Sequence, residues 1–145
     1  MKTRKPLYIG VAIVTFAVGL AVAAIFVFPS RTFRMVSQDG TAAPGLGPSG
    51  KERGMATSSW VSSDGLSVEK VVVGYSSAAD ARSAFELEQT KAERVIEVSD
   101  SSRMVAKFGM SFKVISLKRD QITYIQSPHL EAALAFERSW WKSSW

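Results

Sequence analysis

The sequence lacks cysteine and asparagine, and its 145 residues include a single histidine, His129. Without cysteine the chain has no disulfide bond, no thiolate nucleophile, no thiolate metal ligand and no lipid-modified cysteine. Without asparagine it has no N-glycosylation sequon. One imidazole cannot form a histidine metal site within one chain. These absences leave no catalytic, cofactor or metal signature, so we predict no cofactor and regard an enzymatic role as the least favoured one.

The positive charge of the chain is concentrated near its N-terminus. The formal net charge is +5. Residues 1–53 contain seven basic and two acidic residues, whereas residues 64–145 contain eleven of each. A neutral domain lacks the cationic surface that drives phosphate binding. We therefore expect no nucleic-acid partner.

The segment 7–28 is long, apolar and free of charge. As a helix rising about 1.5 Å per residue it would extend about 33 Å, enough to cross the hydrocarbon core of a bilayer. We predict a short basic tail over 1–6 and a transmembrane helix over 7–28, with the membrane as a partner. The alternative is a signal peptide cleaved after Ala23, which would release a secreted domain. A signal sequence has an apolar region of about 7–15 residues, so the length of this segment favours an uncleaved anchor.

Basic residues flank the predicted span unequally. Lys2, Arg4 and Lys5 precede it, and Arg31 and Arg34 follow it. The positive-inside rule therefore favours a cytoplasmic N-terminus. The rest of the chain would then lie outside the cytoplasm, at the cell membrane.

Small residues recur at a spacing of four within the predicted span, at Thr15, Gly19 and Ala23. This spacing aligns them on one helix face, where a partner helix could approach closely. Glycine and alanine are also common in spans without a partner. The three residues are a candidate helix-packing face.

Glycine, proline and serine dominate the stretch after the span. This composition has few side chains able to build a core, so we predict a flexible linker over 29–63. The folded domain is then expected over 64–145.

The pattern after residue 64 alternates strand and helix signals. A valine-rich run predicts a strand over 67–75, and Ser77 followed by Asp80 predicts the start of a helix. Two hairpins are expected between residues 94 and 127, and Ser127-Pro128 predicts a second helix. We therefore predict a small α+β domain, an antiparallel-rich sheet of about five strands with both helices on one face.

The C-terminus combines tryptophan with cations. Tryptophan and arginine are frequent in protein interfaces, and tryptophan also marks membrane interfaces. The alternative is that Trp140 or Trp141 closes the core. Helical spacing from Leu130 and Leu134 places Trp141 on the core face, with Trp140 about 100° around the helix. The candidate interface residues are Arg138, Trp140, Trp141, Lys142 and Trp145.

Four glutamates and the histidine are the other titratable candidates. Glu86 and Glu88 lie at helix spacings from Arg82 and Lys91 that are typical of surface ion pairs. A carboxylate pair for acid/base chemistry, drawn from Glu86, Glu88, Glu93 and Glu97, is the less favoured interpretation. His129 is expected to be a partly exposed residue near a helix start.

Together these patterns predict a membrane-anchored, non-enzymatic interaction domain with a protein partner of unknown identity. The alternative is an accessory single-pass subunit whose span packs inside a larger membrane complex.

Overall fold

A computed structural model of the chain describes residues 31–40 and 51–143. These residues belong to one compact unit, Arg31–Trp145. The predicted tail 1–6 and span 7–28 lie outside them, and within them no helix is both long and apolar enough to cross a membrane. The described elements are β1 (Phe33–Gly40), β2 (Glu52–Ser62), β3 (Ser67–Tyr75), α1 (Ala78–Lys91), β4 (Arg94–Ser99), β5 (Arg103–Phe108), β6 (Ser111–Lys118), β7 (Gln121–Ser127) and α2 (Leu130–Ser143).

The strands form one antiparallel sheet in the order β1-β2-β3-β7-β6-β5-β4. Helix α1 carries the chain from β3 at the centre to β4 at an edge, and β4 to β7 return as a meander to pair with β3. Since neighbouring strands run in opposite directions, the start of β1, the β2–β3 and β5–β6 turns and the β7–α2 connection share one end of the sheet. We call this the proximal end. The β3–α1 connection and the β4–β5 and β6–β7 turns lie at the distal end.

The two helices cover opposite faces of the sheet. Successive side chains of a strand point to opposite faces, and the neighbours Val114 and Ile115 belong to different hydrophobic clusters. The cluster beneath α1 contains Val73, Tyr75, Ala81, Phe85, Met104, Ala106, Ile115 and Ile122. The cluster beneath α2 contains Val68, Val105, Val114, Ile125, Ala132, Ala133 and Phe136. The prediction of two helices on one face is wrong, because the central strands are apolar on both sides and each face needs its own cover.

The elements predicted after residue 64 are confirmed in order and type. The Ser77 hydroxyl accepts a hydrogen bond from the Asp80 N–H at 3.1 Å, which caps α1. The Ser127 hydroxyl accepts one from the His129 N–H at 3.2 Å, just before α2 begins at Leu130. Local capping chemistry therefore determines where both helices start.

The prediction of a flexible linker over 29–63 is wrong where β1 and β2 form. These two strands extend the five predicted ones to seven. The ring centroids of Phe33 and Trp60 lie 5.0 and 5.2 Å from that of Phe136 in α2. Pairing along β3 satisfies the backbone of β2, and the two aromatic side chains anchor both strands to the core. Composition alone does not register either effect.

Candidate functional site

Helix α2 brings the C-terminal tryptophans to the distal end. It starts at the proximal end and its 14 residues extend about 21 Å along the sheet. The Trp141 ring centroid lies 5.9 Å from Nζ of Lys118, the last residue of β6. The Trp140 and Trp141 centroids are 5.7 Å apart. Trp141 thus sits beside the β6–β7 turn, with Trp140 next to it.

Trp140, and not Trp141, packs against the core. Trp140 lies against the cluster beneath α2, with Nζ of Lys70 4.3 Å from its ring centroid, whereas Trp141 is 36% exposed. Burial lowers the pKa of Lys70. The prediction that Trp141 lies on the core face is wrong. One helical turn before Trp141, on the same side of α2, the buried residue is Glu137, which carries a carboxylate and not an apolar side chain.

A buried ion pair lies beside Trp141. Nε and Nη2 of Arg103 donate to Oε1 and Oε2 of Glu137 at 2.7 and 2.8 Å. The Glu137 side chain is 7% exposed and that of Arg103 is 25% exposed. Nη1 of Arg103 also donates to the exposed Glu97 at 2.7 Å. The hydrogen bonds to Glu137 are the main reason that the pKa of Arg103 is raised, so this guanidinium stays charged.

This ion pair lines a cleft of about 430 Å³ at the distal end. Trp141 and Lys118 contribute an indole and an ammonium group. Within the described residues Lys118 forms no ion pair, and its ammonium group lies over Trp141. The remaining lining residues are Ser99, Asp100, Ser102, Ser116 and Leu117. The cleft can therefore receive an apolar group against Trp141 with an acidic group beside Lys118.

A tight turn fixes the opposite rim of the cleft. Asp100 and Ser101 both adopt positive φ, 51° and 48°, in the three-residue connection between Ser99 and Arg103, and the Ser102 N–H donates to the Ser99 carbonyl at 3.2 Å. The guanidinium of Arg82 in α1 donates to the carbonyl of Ser101. This contact replaces the predicted Arg82–Glu86 pair, and it ties the rim to a helix on the other face of the sheet.

The other candidate interface residues are less informative. Arg138 is exposed in α2, and Lys142 lies in its last turn. Trp145 and the helix-packing face of Thr15, Gly19 and Ala23 lie outside the described residues. Sequence reasoning did not single out Arg103, Glu137 or Lys118 as parts of a site, because only the tertiary fold brings β5, β6 and α2 together.

Sequence reasoning also did not single out the exposed edge strand β4. Val95, Ile96 and Val98 are 39%, 43% and 47% exposed, although their residue types predict burial. Within the described chain β4 pairs with β5 alone, and its register shifts between Val95 and Glu97. A shifted edge discourages pairing with another strand, so β4 ranks below the cleft as a docking surface.

Two tyrosines form a buried polar pair beneath α1. A hydrogen bond links the side chains of Tyr75 and Tyr124, and the carboxylates of Glu52 and Glu88 lie near them. Burial is the main reason that the pKa values of both phenols are raised. Both phenols therefore stay protonated, and in the hydrogen bond between them one hydroxyl donates and the other accepts.

Three of the four candidate glutamates have cationic neighbours. Glu88 pairs with Lys91 at 3.4 Å, Glu93 with Lys107 at 3.6 Å and Glu97 with Arg103. Glu86 is exposed on α1. His129 is exposed, and its Nδ1 lies 4.0 Å from a carboxylate oxygen of Glu131. These contacts are those of ordinary surface ion pairs.

Within the described ranges no group of three or more histidine, aspartate or glutamate side chains is placed to hold a metal ion. No family model matches the chain, and no significant match was found among curated proteins or solved structures. The distal cleft is therefore the feature of the described chain that bears most directly on function.

Proposed function

We propose that the protein is a single-pass membrane anchor that presents a docking domain for a partner protein outside the cytoplasm. The observation that carries the proposal is the distal cleft, at one end of the sheet. It contains the exposed indole of Trp141 and the ammonium group of Lys118, which forms no ion pair within the described chain. Strand β1, which follows the predicted span in the chain, begins at the opposite, proximal end of the sheet.

The chemistry of the cleft suggests the kind of partner. An aromatic or aliphatic side chain of the partner would pack against Trp141, as tryptophan commonly does in interfaces. A neighbouring acidic side chain would pair with Lys118. The Arg103–Glu137 pair already satisfies its own charges, so its role is to hold the floor of the cleft rigid. The partner segment therefore carries one apolar side chain for Trp141 and one acidic side chain for Lys118.

A cross-linking experiment tests the proposal. Full-length chain in mild detergent is mixed with solubilised membranes of the cells that make it, and partners are captured by cross-linking and identified by mass spectrometry. Trp141→Ala and Lys118→Glu should each reduce the yield of the specific partner several-fold. Met55→Ala is the matched control, since Met55 is 46% exposed on β2 and outside the cleft. Each variant is first shown to melt like the unmodified chain.

The same experiment separates the two candidate functions. If the protein is instead an accessory subunit of a membrane complex, replacing Thr15, Gly19 and Ala23 by leucine should remove the partners, because leucine blocks close helix approach. Loss through the helix variant with no effect of Trp141→Ala would contradict docking at the cleft.

A further inference from the structure

One turn at the proximal end exposes almost the whole of an apolar residue. Met110 follows Gly109 in the β5–β6 turn and is 92% exposed, against 58% or less for the other exposed large apolar residues of the described chain. Gly109 has φ +58°, a conformation that favours glycine, and it turns the chain so that Met110 projects from the tip. Phe108 and Phe112 flank the turn and are half-buried.

Lysines accompany this apolar tip. Nζ of Lys113 lies 4.6 Å from the Phe108 ring centroid, and Lys107 pairs with Glu93 at 3.6 Å while its side chain stays 40% exposed. An apolar tip bordered by lysines matches the boundary between acyl chains and headgroups, because lysine can keep its charge in the headgroup layer while its stem lies along apolar groups.

The chain itself limits how far this end can be from a bilayer. Only residues 29–32 separate the predicted span from Phe33, the first residue of β1. Five extended residue steps reach at most about 18 Å. Four strand spacings separate β1 from β6, which is about 19 Å across the sheet. The start of β1, at the proximal end, is therefore at most about 18 Å of chain from residue 28.

We propose that Met110 inserts into the bilayer that holds the span, with Lys107 and Lys113 at the level of the lipid headgroups. This inference rests on the proposed membrane anchor. The contact fixes the orientation of the domain, so that the strands stand away from the surface and the distal cleft faces the aqueous space. The bilayer is the occupant because the chain enters the domain at the same end as Met110.

Full-length chain reconstituted into vesicles of phosphatidylcholine and phosphatidylglycerol tests this proposal. The chain lacks cysteine, so Met110→Cys carries an environment-sensitive fluorophore at one position only. Gln121→Cys is the matched control, because Gln121 is exposed at the distal end beside the β6–β7 turn. Quenching by lipids with a spin label near the headgroup is measured for both, together with flotation of the vesicles after an alkaline wash.

The expected result is quenching at Met110 several-fold stronger than at Gln121, with a blue-shifted emission at Met110 alone. Chain that floats with the vesicles but shows equal, weak quenching at the two positions would overturn the insertion of Met110 and leave the anchor intact. Chain that does not float would overturn the anchor, and the inference with it. Circular dichroism of both labelled variants verifies that the fold is unchanged.

Discussion

Replacing Arg103 by methionine should destabilise the domain by about 3 kcal/mol. The change leaves the carboxylate of Glu137 in its buried site without the two hydrogen bonds of 2.7 and 2.8 Å that it now accepts. Removing one partner of a buried ion pair costs about 3–5 kcal/mol. The lower value applies because the side chain of Arg103 is 25% exposed and the cleft admits water. For a domain of this size the melting temperature should fall by about 12 °C.

Two further variants isolate the buried contact. Glu97→Gln removes the other partner of Arg103. The side chain of Glu97 is 52% exposed, so this change should cost less than about 1 kcal/mol of stability. Replacing Arg103 by methionine and Glu137 by leucine together should recover most of the loss, since an apolar pair of similar volume removes the unpaired charge. Urea unfolding, followed by tryptophan fluorescence, measures all three on a chain of residues 31–145. Equal losses of stability from Glu97→Gln and Arg103→Met would contradict a dominant role of the buried contact with Glu137.

Phe136→Ala should cost about 3–5 kcal/mol in urea unfolding, because Phe136 is 1% exposed and contacts Phe33 and Trp60. A chain that begins at residue 64 should lose cooperative thermal unfolding, because removing β1 and β2 exposes an edge of β3. A chain that begins at residue 31 should keep it. Equal melting curves of the two chains would show that β1 and β2 are dispensable. Hydrogen bonds from Lys51 and Ser77 lower the pKa of Asp80, so Asp80→Asn should remove stability that is present above pH 4 and is lost as the pH falls through the pKa of the folded state. The melting temperatures of the unmodified chain and of Asp80→Asn, measured between pH 7 and pH 2.5, should therefore converge at the acid end.

Elements whose causes are local follow directly from the residue pattern. Ser77 with Asp80 and Ser127 before Pro128 predict both helix starts, because a hydroxyl that accepts a backbone N–H acts within two or three residues. Period-two alternation predicts β5 and β7 with their observed bounds. The uncharged run over 7–28 likewise predicts a span from length alone, and that prediction, with the membrane location, stays a prediction.

Properties that depend on distant residues arise only in the folded chain. Strands β1 and β2 form because Phe33 and Trp60 find Phe136, which is more than 70 residues further along the chain. The helices take opposite faces because the central strands are apolar on both sides, which the order of elements does not reveal. The cleft depends on the same kind of contact, since Arg103 in β5 meets Glu137 in α2 across 34 positions. Side-chain pairing at such separations follows from sheet order and register, which no local pattern contains.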